Sequence, residues 1–314
     1  MYLDFYGLRE LPFELTANPE YLYLTTRHRE ALSNLQYGLA TAKAVTLVIG
    51  EAGTGKSTLL KAAVSSDRCG HVRCVFLNNP TLTRGEFMEV LARGFNLGDQ
   101  AARSKAVLLP ELESVVLQRR SSGEITALVI DEAQCLSLEL LEEVRLLANI
   151  ETSAEKLLPV VLVGQPELAE RLEDNNLRQL KQRVALRCEV TPFELAETAG
   201  YIASRIRTAG GVAFRLFTRE AVTLIHEYSR GIPRTISVIC DNALTHGPAL
   251  GRQPVDCEMV LEVCRDLRLS NGRTERPVVP PCAPAGVDAV QTASLPAPGE
   301  SDGPKFRMFG GRRL

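Results

Sequence analysis

The sequence has no long apolar run. Its longest stretches, such as residues 127–130 and 159–164, fall far short of the roughly 18–20 residues that a membrane helix needs. The first residues also lack the basic region and apolar core of a secretory signal, because Asp4, Arg9 and Glu10 stand among aromatic side chains. We therefore expect a cytoplasmic protein without a transmembrane segment.

An excess of charge of one sign is also missing. The 36 basic and 38 acidic residues give a formal net charge of -2, so no overall positive field favours nucleic acid or an anionic membrane. The eight cysteines include no C-x-x-C pair, which speaks against a disulfide framework. Cys69, His71 and Cys74 lie close together but lead into an apolar strand pattern without a nearby fourth ligand, so we expect reduced thiols rather than zinc.

The composition, 45% apolar and 24% charged over 314 residues, is that of a globular chain with two or three compact units. Short apolar runs typical of buried strands occur at 44–50, 72–77, 125–130 and 160–163, with helical spacing between them. Strands that alternate with helices predict a mostly parallel sheet covered on both faces.

The strand signals stop after Val190, and the later periodic segments are helical. The residues TPFE at 191–194 have the form of a capping box with proline at the first helical position. Seven of the 17 prolines lie in 277–304, which predicts disorder there. We thus expect an N-terminal helical and aromatic segment (1–43), an α/β nucleotide-binding domain (44–190), a helical lid domain (191–268) and a disordered proline-rich tail (269–314).

The residues GEAGTGKS at 50–57 match the phosphate-binding pattern G-x-x-x-x-G-K-[ST], between a predicted strand and helix. Its glycines allow backbone N–H groups and the helix N-terminus to hold phosphate oxygens. Lys56 is expected to reach the β- and γ-phosphates, and Ser57 to bind magnesium. A chance glycine-rich turn is the alternative, which the flanking elements disfavour. The predicted nucleotide-binding residues are Gly50, Glu51, Ala52, Gly53, Thr54, Gly55, Lys56, Ser57 and Thr58.

A second motif follows the apolar run 125–130, where Asp131 and Glu132 stand at the predicted strand end. Asp131 is expected to complete the magnesium site, and Glu132 to orient and deprotonate the attacking water. An Asp-Glu pair after a strand is often only a solvated turn. The phosphate-binding pattern upstream favours the catalytic interpretation.

Several segments, in this order, resemble the ExeA/GspA family of AAA+ ATPases: FYGL at 5–8, PF at 12–13, YLYL at 21–24, the loop at 50–57, DEAQ at 131–134, VGQPEL at 163–168 and GIPR at 231–234. The resemblance covers about residues 1–268. It implies a P-loop AAA+ parallel-sheet core with a C-terminal all-α lid, ATP and Mg²⁺ as ligands, and service to a secretion or exopolysaccharide-export system of the cell envelope.

The resemblance also implies roles for three further residues. Gln165 resembles sensor 1, which contacts the γ-phosphate or the water, although it could be a turn residue before a proline. Arg234 resembles sensor 2 on the lid, with a plain surface arginine as the alternative. Arg183 resembles the arginine finger inserted into a neighbouring subunit, which implies a ring or filament of identical subunits; Arg178 and Arg187 compete for that role.

Two other functions stay open. A DNA-dependent ATPase like the MuB and TniB transposition regulators would need a basic surface, and the cluster of Arg178, Lys181, Arg183 and Arg187 is the one suggestive group. A slow nucleotide-controlled switch is the other, although retention of Glu132 favours turnover. The sequence departs from ExeA in lacking its transmembrane and periplasmic portions, so we expect recruitment to the inner membrane by a partner protein.

Overall fold

A computed structural model describes residues 2–15, 21–78 and 81–270. Its strands are β1 Val45–Gly50, β2 Val72–Leu77, β3 Ile125–Ile130, β4 Val160–Gly164 and β5 Val184–Val190. They form one parallel sheet in the order β2-β3-β4-β1-β5. Because parallel strands point the same way, the carboxyl ends of β3, β4 and β1 lie side by side at one edge. The predicted α/β class is confirmed.

Helices cover both faces of the sheet. The helices before residue 190 are α1 Tyr2–Tyr6, α2 Thr26–Ala40, α3 Lys56–Val64, α4 Arg84–Phe95, α5 Asp99–Arg103, α6 Lys105–Ser121, α7 Leu138–Leu147, α8 Pro166–Arg171 and α9 Arg178–Lys181. In β1, Leu47 packs into the core beneath α4 to α9, whereas Val48 packs beneath α2 and α3. Successive strand side chains point to opposite faces, so a strand buried on both faces reads as a continuous apolar run.

The elements after Val190 are helical: α10 Leu195–Thr208, α11 Ala213–Leu216, α12 Arg219–Ser229, α13 Pro233–Leu250 and α14 Cys257–Asp266. They share a separate apolar core, which Tyr2, Tyr6 and Phe13 from the N-terminal segment join. Among the described residues, no helix is long and apolar enough to cross a membrane. The division at 190/191 stays a prediction, and the predicted tail lies outside the described residues from 271 onward.

The capping box predicted at 191–194, with Pro192 at the first helical position, is wrong. Residues 191–194 are not helical; α10 begins at Leu195, and Glu194 caps it in a box with Glu197. The cause is tertiary, because the Phe193 N–H donates to the Gly231 carbonyl at 2.8 Å and the Phe193 side chain is buried. A local sequence pattern could not anticipate that bond, which ties this segment to the turn before α13.

Candidate functional site

The loop at 50–57 connects the end of β1 to the start of α3. Gly55 is the N-cap of α3 and has φ +99°, a conformation that a residue with a Cβ rarely adopts. Thr54 is buried and its hydroxyl donates to the Glu51 carbonyl at 2.8 Å, which closes the loop on itself. The loop therefore presents its backbone and the start of α3 at the carboxyl edge of the sheet, a geometry suited to anions.

Lys56 stands at the first position of α3 and is only 6% exposed. Its Nζ donates to the carbonyl oxygens of Gly50 at 2.8 Å and Glu51 at 3.0 Å. Burial lowers the pKa of Lys56, and the nearby carboxylates of Glu132 and Asp131 oppose that shift. The cation is thus held at the loop by carbonyl dipoles, available for an anionic ligand.

The next residue, Ser57, connects the loop to the end of β3. Its hydroxyl donates to Asp131 Oδ2 at 2.9 Å, and Asp131 Oδ1 accepts the Glu132 N–H at 2.9 Å. The Asp131 N–H donates to the Leu77 carbonyl at 3.1 Å, which extends the β2–β3 pairing by one residue. The two residues predicted to hold magnesium are therefore in direct contact, although 74 positions separate them.

Glu132 adopts a left-handed backbone conformation, with φ +53°. Its Oε2 accepts hydrogen bonds from the side-chain amides of Gln134 and, at 3.3 Å, of Gln165. A left-handed conformation at a residue other than glycine costs about 1–3 kcal/mol and persists where surrounding contacts enforce it. The ends of β3 and β4 thus meet at the Glu132 carboxylate.

The start of α13 closes the other side of the loop. The Arg234 N–H donates to the Gly53 carbonyl at 3.2 Å, and a Cβ on Gly53 would lie 2.8 Å from Arg234 Cβ. Gly53 is therefore required by this close approach as well as by its φ of +81°. Arg234 lies against the loop in the same chain.

A cavity of 370 Å³ lies between the loop and the helical part of the chain, a volume within the range of small-molecule sites. Its lining includes seven predicted site residues: Gly53, Gly55, Lys56, Ser57, Thr58, Glu132 and Arg234. Gly50 and Thr54 are buried, whereas Glu51 and Ala52 are exposed and do not line the cavity. The structure brings Glu132 and Arg234 to the loop, and Asp131 contacts the loop through Ser57.

Four polar side chains in that lining were not predicted from the sequence: Glu14, Tyr201, Arg205 and Ser237. Arg205 is 9% exposed and donates to the carbonyls of Pro12 at 2.5 Å and Glu14 at 3.0 Å. It also donates to the Tyr201 hydroxyl, which is 2.8 Å from Ser237 Oγ. A usable signal existed, because Arg205 falls on the buried face of α10 at positions i+4 and i+7 from Tyr201 and Thr198.

Arg183 lies elsewhere. It precedes β5, where Val184 pairs with Val45 at the start of β1, whereas Gly50 pairs with Val190 at the other end. At about 3.3 Å per residue, the length of β1 separates Arg183 from the loop by roughly 16 Å. Arg183 lines a different cavity of 480 Å³, together with Arg145 and Lys156. The structure does not bring it to the loop of its own chain.

The other cations of the predicted basic cluster are partly neutralised. Lys181 forms an ion pair with Glu173, and Arg187 forms one with Glu189 at 2.9 Å. Across the described residues, no group of three or more His, Cys, Asp or Glu side chains is arranged to hold a metal ion. Cys69 and Cys74 are free thiols.

Both the sequence and the fold are similar to those of known proteins. A model of the AAA domain family matches residues 40–172. General secretion pathway protein A of Aeromonas hydrophila is 37% identical over 255 residues, which are 81% of this chain and 46% of that protein. The chain therefore spans less than half the length of this relative.

Solved structures share the fold at low sequence identity. The ORC2 protein of Aeropyrum pernix, in ADPNP–ADP complexes, is 18% identical with a TM-score of 0.59 over 81% of this chain and 71% of that one. Cdc6p of Pyrobaculum aerophilum is 16% identical with a TM-score of 0.60, covering 81% and 70%. Drosophila ORC bound to DNA is 19% identical with a TM-score of 0.61, covering 82% and 65%. These similarities concern the fold alone.

Proposed function

This chain is an ExeA/GspA-like AAA ATPase, and from that premise we propose that it binds ATP with Mg²⁺ at the 50–57 loop and hydrolyses it. The observation that carries the proposal is the 370 Å³ cavity in which the loop, Glu132 and Arg234 converge. Each lies at the end of a different element, so only the folded chain forms the site.

The residues present fit a magnesium–nucleotide complex. Ser57 and Asp131 are in contact at 2.9 Å and would hold the ion. Magnesium usually takes one or two protein oxygens plus substrate phosphates and water, so the absence of a larger acidic cluster in the described parts of the chain agrees with it. When bound, Mg²⁺ would neutralise charge on the β- and γ-phosphates. Lys56 would add its ammonium to the same oxygens.

In the proposed reaction, Glu132 takes a proton from water as the water oxygen forms a bond to the γ-phosphorus. The bond from the γ-phosphorus to the β–γ bridging oxygen breaks, and ADP leaves with that oxygen. Gln165, whose amide is 3.3 Å from the Glu132 carboxylate, can contact the same water or the γ-phosphate. Arg234 would couple the position of the helical lid to the phosphate state.

Two variants test this proposal. Lys56→Ala removes the buried cation, so nucleotide affinity should fall. Glu132→Gln keeps the shape but not the base, so ATP should still bind while turnover falls by about 10²–10⁴-fold. Fluorescent nucleotide titration and phosphate release measure the two effects. Equal hydrolysis by wild type and Glu132→Gln contradicts the role of Glu132, and a wild type that ignores magnesium–ATP contradicts the whole proposal.

We further propose that the chain works as an oligomer, with Arg183 acting on a neighbouring subunit's nucleotide. Arg183 lies at the amino ends of the strands, whereas the loop lies at their carboxyl ends, and this separation supports action between subunits. The identity to general secretion pathway protein A supports service to a secretion or export system of the envelope, at the inner membrane through a partner protein. Residues 44–190 would form the nucleotide-binding domain and 191–268 the lid.

Measuring ATP hydrolysis with and without duplex DNA, across protein concentration, separates this proposal from its alternatives. A steep rise in specific activity with concentration supports the oligomer. Strong stimulation by DNA would instead indicate a transposition-type ATPase, and binding without turnover a switch. The ion pairs at Lys181 and Arg187 weaken the case for DNA, because they neutralise part of the basic cluster.

A further inference from the structure

Gln134 lies in the turn between β3 and α7 and forms a bridge between two strand ends. Its Oε1 accepts the Gln165 N–H at 3.1 Å, just after β4, and its Nε2 donates to Glu132 Oε2, just after β3. We propose that Gln134 is a positioning residue that holds the Glu132 carboxylate for proton abstraction, an inference that rests on the proposed hydrolysis.

The orientation of the Gln134 amide follows from its partners. A backbone N–H can only donate, so the oxygen of the Gln134 amide must face Gln165. The NH₂ group then faces Glu132, where an ionised carboxylate can only accept. Both ends of the side chain are satisfied in one orientation, and the reversed amide would place donor against donor and acceptor against acceptor.

The surroundings fix Gln134 in turn. Arg171, at the end of α8, donates through Nη1 to the Gln134 carbonyl. The Cys135 N–H donates to the Glu132 carbonyl at 2.9 Å, which closes the turn that contains Gln134. Gly164 leaves the necessary room, because a Cβ there would lie 3.0 Å from Gln134 Oε1 and 2.6 Å from Leu168 Cδ2.

Glu132 has two side-chain amide partners, and Gln134 is the one whose other end is tied to the backbone of Gln165. Gln165 is also within reach of Glu132, but its contact is longer, at 3.3 Å. Gln134 binds the backbone of Gln165, not its side chain. The hydrogen bond from Gln134 to Glu132 therefore remains if the Gln165 side chain turns toward a phosphate. Gln134 and the left-handed backbone of Glu132 together keep the Glu132 carboxylate in place.

Two substitutions separate the two ends of the bridge. Gln134→Leu loses both hydrogen bonds, whereas Gln134→Glu can still accept from the Gln165 N–H but cannot donate to Glu132. We expect kcat to fall about 10- to 100-fold in both variants with KM changed less than about 3-fold, since general-base catalysis is worth about 10²–10⁴ in rate. Gln100→Leu, the same change at an exposed glutamine on α5, should match wild type.

A double-mutant cycle and amide exchange distinguish positioning from folding. In a Glu132→Gln background, Gln134→Leu should cause no further loss of rate, because both changes disable the same base. Exchange of the Gln165 N–H, followed by NMR, should accelerate in Gln134→Leu and stay slow in Gln134→Glu, whether or not the protein turns over.

Three results overturn the proposal: wild-type kcat in Gln134→Glu, fully additive losses in the cycle, or unchanged Gln165 exchange in Gln134→Leu. A wild type without ATPase activity overturns the proposed function instead, and with it the catalytic role of the bridge. Intact nucleotide affinity in Gln134→Leu alongside lost turnover supports positioning, because a misfolded site would lose both.

Discussion

Among the described residues, two cations, Lys56 and Arg205, are nearly buried without a carboxylate ion partner, and both are held by oxygen dipoles. Lys56 donates to two carbonyls of its own loop, and Arg205 donates to the carbonyls of Pro12 and Glu14 and to a tyrosine hydroxyl. Arg205 also lies over the rings of Tyr21 at 4.8 Å and Tyr201 at 5.4 Å. Such charges are costly to bury unless they are hydrogen-bonded.

Arg205 should be needed for stability as well as for the cavity wall. Arg205→Gln removes the cation and leaves the Pro12 and Glu14 carbonyls short of donors, so we expect a loss of about 2–4 kcal/mol in the free energy of unfolding. Urea denaturation measures it. Arg207→Gln, an exposed arginine on the same helix, should stay within about 0.5 kcal/mol of wild type. Similar losses in both variants would contradict the role assigned to the carbonyl contacts.

At the scale of residues, the sequence predicts a functional side chain where the spacing of a short motif defines its role. The phosphate-loop pattern and the Asp131-Glu132 pair could be recognised because short motifs fix their own geometry. Spacing places Arg205 on the buried face of α10 but does not reveal its partners. Its carbonyl acceptors come from the N-terminal segment, and Ser237 meets Tyr201 from another helix, so only the fold brings these groups together. Arg183 was recognised by resemblance, but its distance from the loop depends on strand register.

The start of α13 positions Arg234 at the site. The turn before it contains Gly231, with φ +73°, and a Cβ there would lie 2.0 Å from the Phe193 carbonyl oxygen. The Gly231 carbonyl also accepts the Phe193 N–H. This turn therefore fixes where α13 begins and how Arg234 approaches the loop.

Gly231→Ala should lower the free energy of unfolding by about 2 kcal/mol or more, because it adds a steric clash to backbone strain. Gly251→Ala is the matched control, since Gly251 has φ +63° but nothing within 4 Å of an added Cβ. In Gly251→Ala, backbone strain alone should lower the free energy of unfolding by about 1 kcal/mol. Thermal unfolding of both proteins makes the comparison, and equal losses would exclude the clash with Phe193.

The elements also show where pattern reading fails. The first four strands were predicted within one residue of their observed bounds. β1, β3 and β4 are fully buried apolar runs, whereas β2 keeps a mostly apolar sequence although only its two end residues are buried. β5 was not identified, since exposed Arg187 and Glu189 interrupt its apolar pattern at the edge of the sheet. Residues 191–194 follow a tertiary hydrogen bond rather than their local capping pattern.

At the scale of the whole molecule, the sheet separates two cationic sites. Lys56 lies at the carboxyl ends of the strands. Arg183, with Arg145 and Lys156, lines a cavity at their amino ends. Burial and the nearby Arg183 lower the pKa of Lys156, which also forms an ion pair with Glu151. If Arg183 is the proposed finger, its distance from its own loop requires it to act on another copy.

Mixing defective subunits tests action between copies. Arg183→Ala retains its loop, and Lys56→Ala retains its arginine, so a mixed oligomer should recover part of the ATPase activity that each variant lacks alone. Phosphate release across mixing ratios measures the recovery. Arg187→Ala subunits, which lose an arginine that already pairs with Glu189, are mixed with Lys56→Ala subunits in the same way for comparison. Failure at every ratio would transfer the finger role to Arg178 or Arg187.

The N-terminal residues pack against helices made much later in synthesis. Tyr2 donates to Asp241 Oδ1 at 2.5 Å across 239 positions, and Tyr2 and Tyr6 are buried in the core formed by α10 to α14. On the ribosome, the sheet can close once β5 has emerged, whereas these two tyrosines must wait for α13 and α14. A nascent chain interrupted before α14 would therefore expose an aromatic surface to the chaperones that bind unfinished proteins.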